Sequence, residues 1–404
     1  MKILITTDAY YPMTNGVVIS TDILYNQLKL RGHDVRILTL SNEGKGYTSG
    51  DVYYLSAGSV NVYPQAKIIK PVRNKAISEI IKWEPDIIHS QTEFSTMVMA
   101  KYIKRKLKIP QVHTYHTMYE DYLKYFLKGR VLKKNAMARI TRILLNSFDI
   151  VIAPTEKVKR LLATYKVSTD IIEVIPTGID IGKFQNAFLP EEKERILGQY
   201  GFTSSENVLV YVGRIAEEKN IEELLYLFNR ALNEISNLKF LIVGGGPYLD
   251  TLKAVVDELN LQDSVKFTGM IDSHEIYKYY KVGTVFLTAS KSESQGLTYL
   301  EAFASGCPVL CRWDPCIEGL IIEGITGFTY NDDDEFMVGL KKLLYNEDLR
   351  VSIKQNSINL ANEYSKENFG LKVIDTYKKA IEKNIIKEKE KEKGIFRNNL
   401  RQKD

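Results

Sequence analysis

Short runs of Ile and Val, each followed by a longer segment of helical periodicity, are the feature that most constrains the fold of this chain. The runs are almost continuously apolar, as expected for strands that helices cover on both faces. Such an alternation of strands and helices predicts an α/β fold with parallel sheets. Ten strands are predicted in this way: 2–7, 34–40, 86–90, 111–115 and 149–153, then 208–213, 238–243, 264–269, 283–289 and 308–312.

The pattern stops and restarts once, which indicates two domains. It stops at the Pro176-Thr177-Gly178 turn and restarts after the polar, acid-rich stretch 185–206. A chain of 404 residues has room for two or three domains. We therefore place the boundary near residue 180. The predicted parts are an N-terminal domain (1–180), a C-terminal domain (181–360), a helix that can pack back on the N-terminal domain (361–384) and a charged tail, either a solvated helix or disordered (385–404).

Composition excludes several classes of protein. The chain is 44% hydrophobic and 26% charged, which is typical of a folded protein and not of a disordered or fibrous one. It has no run of about 18 apolar residues that would span a membrane. The N-terminus runs from Met1-Lys2 through Ile-Leu-Ile to Asp8, without the features of a signal peptide. We therefore expect a cytoplasmic protein.

Three cysteines lie within one short stretch. Cys307, Cys311 and Cys316 have neither Cys-x-x-Cys spacing nor a nearby histidine. An odd number of closely spaced thiols fits reduced residues better than a disulfide framework. The spacing also argues against a zinc site.

Glycines follow several of the predicted strands. Asn15-Gly16 lies between the first strand and a helical run, and such a turn can bind phosphate at the helix N-terminus, although an ordinary turn remains an alternative. Gly213-Arg214 with Lys219 offers two cations to a diphosphate, and the alternative is a solvated pair beside Glu217 and Glu218. The run Gly244-Gly245-Gly246-Pro247 indicates a ligand site or a sharp turn.

Two glutamates eight residues apart form the strongest local motif. Glu293 and Glu301 lie on either side of Gly296, where a helix is predicted to start. Glu301 is expected about two turns inside that helix, and the free N–H groups near 296–298 would face an anion. One carboxylate could then bind ribose hydroxyls and the other sugar hydroxyls. The alternative is that Glu293 caps the helix and Glu301 lies on the surface.

The order and spacing of these motifs, together with His116, resemble the retaining nucleotide-sugar glycosyltransferases of the GT-B fold, family 4. The likeness covers nearly the whole chain. It implies two Rossmann-like domains whose parallel sheets face each other across a cleft. It also implies that the donor nucleotide binds to the C-terminal domain and the acceptor to the N-terminal domain.

The resemblance also implies roles for individual residues. Glu301 would hold the ribose, Arg214 and Lys219 the diphosphate, and Glu293 a hydroxyl of the sugar, while His116 would steady the sugar as charge develops. The cations and a helix N-terminus would replace a metal, so no obligatory cofactor is expected. The remaining donor contacts implied by the likeness are Gly16, Gly213, Gly244, Gly245, Gly296, the backbone at Leu297 and Thr298, and the backbone near Met270 at the base.

Two features qualify this likeness. Many relatives carry Gly-Gly where this chain has Asn15-Gly16, but asparagine tolerates left-handed backbone angles, so we expect the loop to be kept.

His113 and His116 are three residues apart and could form a metal site together, as an alternative to the role that the resemblance implies for His116. On a strand, however, residues three apart point to opposite faces, so we expect a structural role for His113 and no metal site.

Positive charge is concentrated between Lys101 and Arg142, where twelve basic residues and two acidic ones give a net charge of +10, against +5 for the whole chain. Apolar residues interleave with them at near-helical spacing, which is typical of a basic amphipathic helix at a membrane surface. Alternatives are a plain solvated face over a core stripe and, least favoured, nucleic acid binding. The predicted membrane face comprises Lys104, Arg105, Lys108, Lys124, Lys128, Arg130, Lys133 and Lys134.

The segments 113–122 and 293–299 are similar to the bacterial diacylglycerol glucosyltransferases, which make membrane glycolipids and lipoteichoic acid anchors. This similarity implies UDP-glucose as donor, 1,2-diacylglycerol as acceptor and a peripheral location on the inner face of the cell membrane. Tyr119, Glu120 and Asp121 would lie near the acceptor. The alternatives are a hexosyltransferase acting on a glycosylated lipid or cell-wall polymer, and a non-catalytic peripheral membrane protein.

Overall fold

The computed structural model describes residues 1–13, 15–41, 43–56, 58–59, 67–68, 74–116, 134–291 and 293–401. The chain divides into two compact units. Unit 1 consists of Met1–Gly178 together with Lys366–Asp404, and unit 2 of Ile179–Ser365.

Unit 1 is built on an eight-stranded sheet of order β10-β9-β8-β7-β1-β2-β4-β3. All neighbours are parallel except β3 and β4. The sheet strands are β1 Lys2–Thr6, β2 Asp34–Leu40, β3 Tyr47–Ser49, β4 Val52–Leu55, β7 Ile87–Ser90, β8 Gln111–Thr114, β9 Ile150–Ala153 and β10 Ile172–Val174, and a separate pair is formed by β5 Gly58–Ser59 and β6 Lys67–Ile68. The helices before residue 178 are α1 Gly16–Leu30, α2 Lys75–Trp83, α3 Ser95–Leu107, α4 Lys134–Leu145 and α5 Glu156–Thr164.

Unit 2 is built on a six-stranded parallel sheet of order β13-β12-β11-β14-β15-β16. This is the order of dinucleotide-binding folds, in which the strand order reverses beside the first strand and ligands bind at the carboxyl ends there. The strands are β11 Asn207–Val212, β12 Leu238–Val243, β13 Val265–Gly269, β14 Val285–Thr288, β15 Val309–Arg312 and β16 Gly327–Tyr330. The helices are α6 Ile181–Gln185, α7 Pro190–Gly198, α8 Ile221–Leu232, α9 Leu249–Glu258, α10 Ile276–Val282, α11 Leu297–Ser305, α12 Asp333–Tyr345 and α13 Glu347–Glu363.

After unit 2 the chain returns to unit 1 as the long helix α14, Lys366–Arg401. This helix packs closely against α1, because a Cβ atom at Gly370 would lie 2.8 Å from the Cβ atom of Gln27. Val373 and Tyr377 of this helix are buried. The charged segment after residue 385 therefore continues a helix, one of the two predicted alternatives. Among the described helices, none is long and apolar enough to cross a membrane.

All ten predicted strands form, and each lies within two residues of its predicted bounds. The prediction of an α/β fold with two parallel sheets is confirmed. Four sheet strands were missed, namely β3, β4, β10 and β16. They are three or four residues long and lie at or next to a sheet edge, so their residues do not form the continuous apolar runs of central strands.

Candidate active site

Glycines at the carboxyl ends of β11, β12 and β13 allow the backbone there to pack closely. Backbone hydrogen bonds join Gly213 N to Val243 O (3.0 Å) and Gly244 N to Gly269 O (3.1 Å). Gly244 has φ +135°, and a Cβ atom there would lie 1.9 Å from Gly213 O. Only glycine fits at this position. The glycine run thus allows the protein's own loops to approach closely at the carboxyl ends of the strands.

An ion pair crosses the point where the strand order reverses. Lys219 ends a short 3-10 turn after β11, and Glu293 lies in the loop after β14. Their Nζ and Oε1 atoms are 2.5 Å apart, and the two side chains are 20% and 18% exposed. Both residues are predicted from the sequence to bind the donor, and the structure brings them together.

Arg214 lies in the same cluster. It pairs with Glu218, so the predicted alternative of a local Arg–Glu contact is realised in part. The buried Tyr211 hydroxyl donates to the backbone oxygen of Arg214 (3.0 Å). Burial and the charges of Glu293 and Glu218 raise the pKa of Tyr211, while Arg214 opposes them. Charged side chains from the loops after β11 and β14 therefore lie near the Tyr211 hydroxyl.

The helix after Glu293 begins beside this cluster, because a Cβ atom at Gly296 would lie 3.6 Å from Glu293 Cγ. Gly296 is the N-cap of α11 with φ +73°, and a Cβ atom there would lie 2.5 Å from the Tyr299 ring. The first N–H groups of a helix, here those of Leu297 and Thr298, have no partner within it. Together with the helix dipole they favour an anion at this end.

Glu301 is the fifth residue of α11 and so lies about one turn inside the helix, not about two as expected. The Tyr280 hydroxyl donates to its Oε2 atom (2.7 Å). Its Oε1 atom has no hydrogen-bond partner among the residues that the structure describes. Burial raises the pKa of Glu301, opposed by the Tyr280 hydrogen bond and by Lys183. Glu301 is thus held in place with one oxygen available, not a freely solvated surface residue.

Met270 follows β13 and is 79% exposed. A Cβ atom at Gly245 would lie 3.0 Å from Met270 Cγ, so this side chain lies against the glycine run. An exposed thioether at the carboxyl edge of the sheet can cover one face of a planar base.

In unit 1, Gly16 is the first residue of α1, and a Cβ atom there would meet nothing within 4 Å. Asn15 has φ −158°, an extended conformation, so its tolerance of left-handed backbone angles is not used. Its side chain instead accepts a hydrogen bond from Val18 N (3.0 Å), as an ordinary helix cap. Asn15 thus caps α1, and Gly16 beside it lies in open space.

His116 follows β8, and its Nε2 atom lies 2.7 Å from Gln91 Oε1. Burial, with a smaller contribution from His113, lowers the pKa of His116 to about 3. The ring is therefore neutral at physiological pH. His113 contacts Glu93 instead (3.2 Å) and stacks on Phe148. The two histidines thus have different partners, and within the described residues no group of three or more potential metal ligands occurs.

The predicted acceptor residues Tyr119, Glu120 and Asp121 lie outside the described residues, as do Lys124, Lys128, Arg130 and Lys133 of the membrane face. Lys134 begins α4, and its side chain is not described. Lys104 forms a 2.7 Å ion pair with Asp149. Its charge is neutralised there, so it no longer belongs with the free basic face, whereas Arg105 and Lys108 are exposed.

Three residues that contact the predicted site residues of their own unit were not predicted from the sequence: Gln91 in unit 1, and Tyr211 and Tyr280 in unit 2. Gln91 directly follows β7, and a polar residue at that strand end is a signal that could have identified it. Tyr211 lies within an apolar strand and Tyr280 within a helix, so no local pattern distinguishes them from core residues.

Comparison with known proteins assigns the chain to a family. Residues 14–183 match Glycosyltransferase Family 4, and residues 192–360 match Glycosyl transferases group 1. The chain is a family 4 glycosyltransferase. The prediction of an enzyme is therefore confirmed, and the alternative of a non-catalytic membrane-binding protein is rejected.

The most similar relatives include two glycolipid-forming enzymes. An alpha-monoglucosyldiacylglycerol synthase of Streptococcus pneumoniae is 35% identical over 98% of this chain and 91% of its own length. The enzyme of the same name from Acholeplasma laidlawii is 28% identical over 95% of this chain and 98% of its own length. The family predicted from the motifs is thus confirmed.

Solved structures support the fold. Anabaena HepE, in complex with UDP-glucose, aligns with a TM-score of 0.73 at 16% identity, covering 94% of this chain and all of its own. A glycosyltransferase from Rickettsia africae aligns with a TM-score of 0.74 at 21% identity, covering 94% of this chain and 98% of its own. The predicted GT-B fold class is confirmed by this likeness.

Proposed function

We propose that this glycosyltransferase transfers glucose from UDP-glucose to the free hydroxyl of 1,2-diacylglycerol, with retention, and so forms alpha-monoglucosyldiacylglycerol. The observation that carries the proposal is the cation and carboxylate cluster at the reversal of strand order in unit 2, where Lys219 meets Glu293. The acceptor follows from the relatives, because two enzymes similar along almost the whole chain are named for that product.

The donor diphosphate would lie at the N-terminus of α11. Arg214 and Lys219 would neutralise it, and the free N–H groups of Leu297 and Thr298 would bind its oxygens. Glu293 would accept a hydrogen bond from a sugar hydroxyl, and the free Oε1 atom of Glu301 from the ribose. UDP-glucose as the donor is supported by the complex of Anabaena HepE, which shares this fold.

In the reaction, the bond between the anomeric carbon and the phosphate oxygen breaks, and a bond to the acceptor oxygen forms on the same face. The acceptor's proton passes to an oxygen of the leaving phosphate. Negative charge grows on that phosphate, and fixed cations stabilise it more in the transition state than in the ground state. Since cations and helix N–H groups suffice for this, we expect the activity to survive chelation of divalent metals by EDTA.

His116 and Gly16 belong to unit 1, and the family resemblance gives them roles beside the transferred sugar and the donor phosphate. The Gln91 contact orients the ring of His116, whose low pKa keeps it neutral. A neutral imidazole can hydrogen-bond to a sugar hydroxyl without placing a positive charge beside the developing oxocarbenium ion.

The enzyme would act as a peripheral protein on the cytoplasmic face of the membrane. On α4, Ile140 and Ile143 are 53% and 62% exposed, so they are not part of a core stripe. Arg139 is exposed beside them. Exposed apolar side chains among basic ones suit a surface of anionic lipid, where each basic residue contributes about 1 kcal/mol.

The substrate assignment is tested by incubating the protein with a panel of sugar nucleotides and acceptors and identifying products by mass. The panel includes UDP-glucose, UDP-galactose, diacylglycerol, a glycosylated diacylglycerol and a cell-wall polymer. We expect a hexose adduct of diacylglycerol from UDP-glucose, and none from Glu293→Gln under the same conditions. A product only with the glycosylated lipid or the polymer would replace this proposal with the alternative acceptor.

Membrane binding is tested separately by vesicle sedimentation. Ile140→Glu with Ile143→Glu should reduce binding to vesicles that contain phosphatidylglycerol. Val338→Glu is the matched control, because Val338 is an equally exposed apolar residue (53%) on α12 of unit 2. If the two variants bind these vesicles equally well, α4 does not contact the membrane.

A further inference from the structure

Unit 2 contains a second polar cavity, at the opposite end of its sheet from the donor loops. Its volume is about 680 Å³, within the range of ligand sites. Asn207, Thr284 and Pro308 line it, and these residues stand at the amino ends of β11, β14 and β15. The donor diphosphate would bind at the carboxyl ends. The cavity is therefore distinct from the proposed active site.

Four basic side chains line this cavity: Lys193, Lys281, Arg350 and Lys354. None of them forms an ion pair with a carboxylate in the part of the chain that the structure describes. Two acidic residues also line the cavity. Glu206 already pairs with Lys239 (3.5 Å), and Glu347 is exposed in the first turn of α13. The cavity thus carries an excess of positive charge that the protein itself does not neutralise.

The lysines lie close enough to affect one another. Burial and the charge of Lys354 lower the pKa of Lys281. The charges of Lys354 and Lys193 both act on the thiol of Cys307, a buried residue beside the cavity. A Cβ atom at Gly306 would lie 2.7 Å from Lys354 Cε, so this side chain lies along the end of α11. Like charges that converge in this way repel each other, and a bound anion would remove that cost.

The uncharged lining also suits an anion. Ser204, Ser205, Thr284 and Ser305 also line the cavity, and hydroxyl groups can donate hydrogen bonds to an anion. Two of the cations are anchored: Lys281 donates to Asn186 O, and Arg350 to the backbone oxygens at the end of α12. Several cations with hydroxyl donors match the many acceptor oxygens of phosphate groups.

We propose that this cavity is a binding site for a phosphate-bearing anion, separate from the donor site and formed by Lys193, Lys281, Arg350 and Lys354. The phosphate could belong to a soluble polyphosphate or to the headgroup of an anionic lipid, since both present the same oxygens. The proposal does not depend on the sugar or acceptor assigned above.

The test is thermal unfolding of the full chain with inorganic tripolyphosphate at constant ionic strength and saturating UDP, which occupies the donor site. A ligand that binds the folded state raises the unfolding temperature. We expect the parent protein to be stabilised and Lys281→Ala with Lys354→Ala to bind the probe roughly tenfold more weakly or worse. Removing mutually repelling lysines should not unfold the protein. Lys253→Ala is the matched control, because Lys253 is an exposed lysine on α9 away from the cavity.

A second arm repeats the titration with Lys219→Met, which alters the donor site only. If Lys219→Met still binds tripolyphosphate, the result supports an anion site separate from the donor site, even if the proposed sugar transfer is wrong. Vesicles of phosphatidylcholine with and without phosphatidylglycerol distinguish the two sources of phosphate. Weaker recruitment of the double lysine variant to the anionic vesicles would identify a lipid headgroup, and binding of tripolyphosphate with unchanged recruitment would identify a soluble ligand. The proposal is overturned if the double variant binds both probes as the parent does, or if the parent binds neither.

Discussion

The ion pair between Lys219 and Glu293 allows a direct test of the donor site by the substitution Lys219→Met. Methionine keeps most of the apolar length of lysine and removes its charge. A preorganised group that stabilises charge on a departing oxygen contributes about 2.7–4 kcal/mol, so kcat/KM should fall by roughly 100- to 1,000-fold. The side chains are only 20% and 18% exposed, so Glu293 also loses its partner in a partly desolvated position. We expect the free energy of unfolding to fall by about 1–2 kcal/mol, between the values for exposed and buried pairs.

A matched control exists within the same unit. Lys239 pairs with Glu206 at 3.5 Å, and these side chains are 19% and 18% exposed. The pair lies at the amino ends of β11 and β12, away from the donor loops. Lys239→Met should therefore lower stability by a similar amount and leave kcat/KM within about threefold of the parent.

The assay is glucose transfer from labelled UDP-glucose to diacylglycerol in mixed vesicles, with stability measured by denaturant unfolding of the same preparations. A near-parental kcat/KM of Lys219→Met would contradict a role of Lys219 in donor binding, as would an equal loss of activity in Lys239→Met. In the second case, the loss of activity would result from lower stability and not from a weaker interaction with the donor.

Three further predictions follow from the site. Glu301→Ala should weaken UDP binding about tenfold and remove any preference for UDP over 2′-deoxy-UDP in calorimetry, whereas a purely structural glutamate would affect both ligands equally. Gly244→Ala should destabilise unit 2 by roughly 2–3 kcal/mol or more in denaturant unfolding, because its Cβ atom would meet Gly213 O, while Gly198→Ala, in open space, should not. Lowering the pH should destabilise unit 1, because His116 takes up a proton below pH about 6.5 in the unfolded chain but only near its pKa of about 3 in the folded protein. Between pH 6.5 and 5.5, the free energy of unfolding measured by hydrogen exchange of the β8 amides should fall by roughly 1 kcal/mol more in the parent than in His116→Gln. Equal decreases in the two proteins would contradict a buried, neutral His116.

The central strands could be predicted from the sequence because burial on two faces leaves a local signal. A strand such as β11 is almost entirely apolar, and that run alone identifies it. β3 carries no such signal, since all three of its residues are exposed. Its place in the sheet depends on pairing with β4, which only the tertiary structure supplies.

The part of the candidate site that could be predicted from the sequence consists of charged residues in loops that follow predicted strands. Lys219 and Glu293 are 74 residues apart in sequence, yet both follow strands that adjoin at the reversal of the sheet, so topology brings them together. The contacts that hold these residues could not be predicted. Tyr280 reaches Glu301 from a different helix, and Gln91 reaches His116 from a different strand end. Nothing in the local pattern encodes such pairings.

The central claim is that the donor diphosphate lies between Lys219 and the N-terminus of α11. A structure of the enzyme with bound UDP measures this most directly. We expect phosphate oxygens within hydrogen-bond distance of Lys219 Nζ and of the N–H groups of Leu297 and Thr298. UDP bound elsewhere, with the helix N-terminus empty and Lys219 still paired only with Glu293, would contradict it.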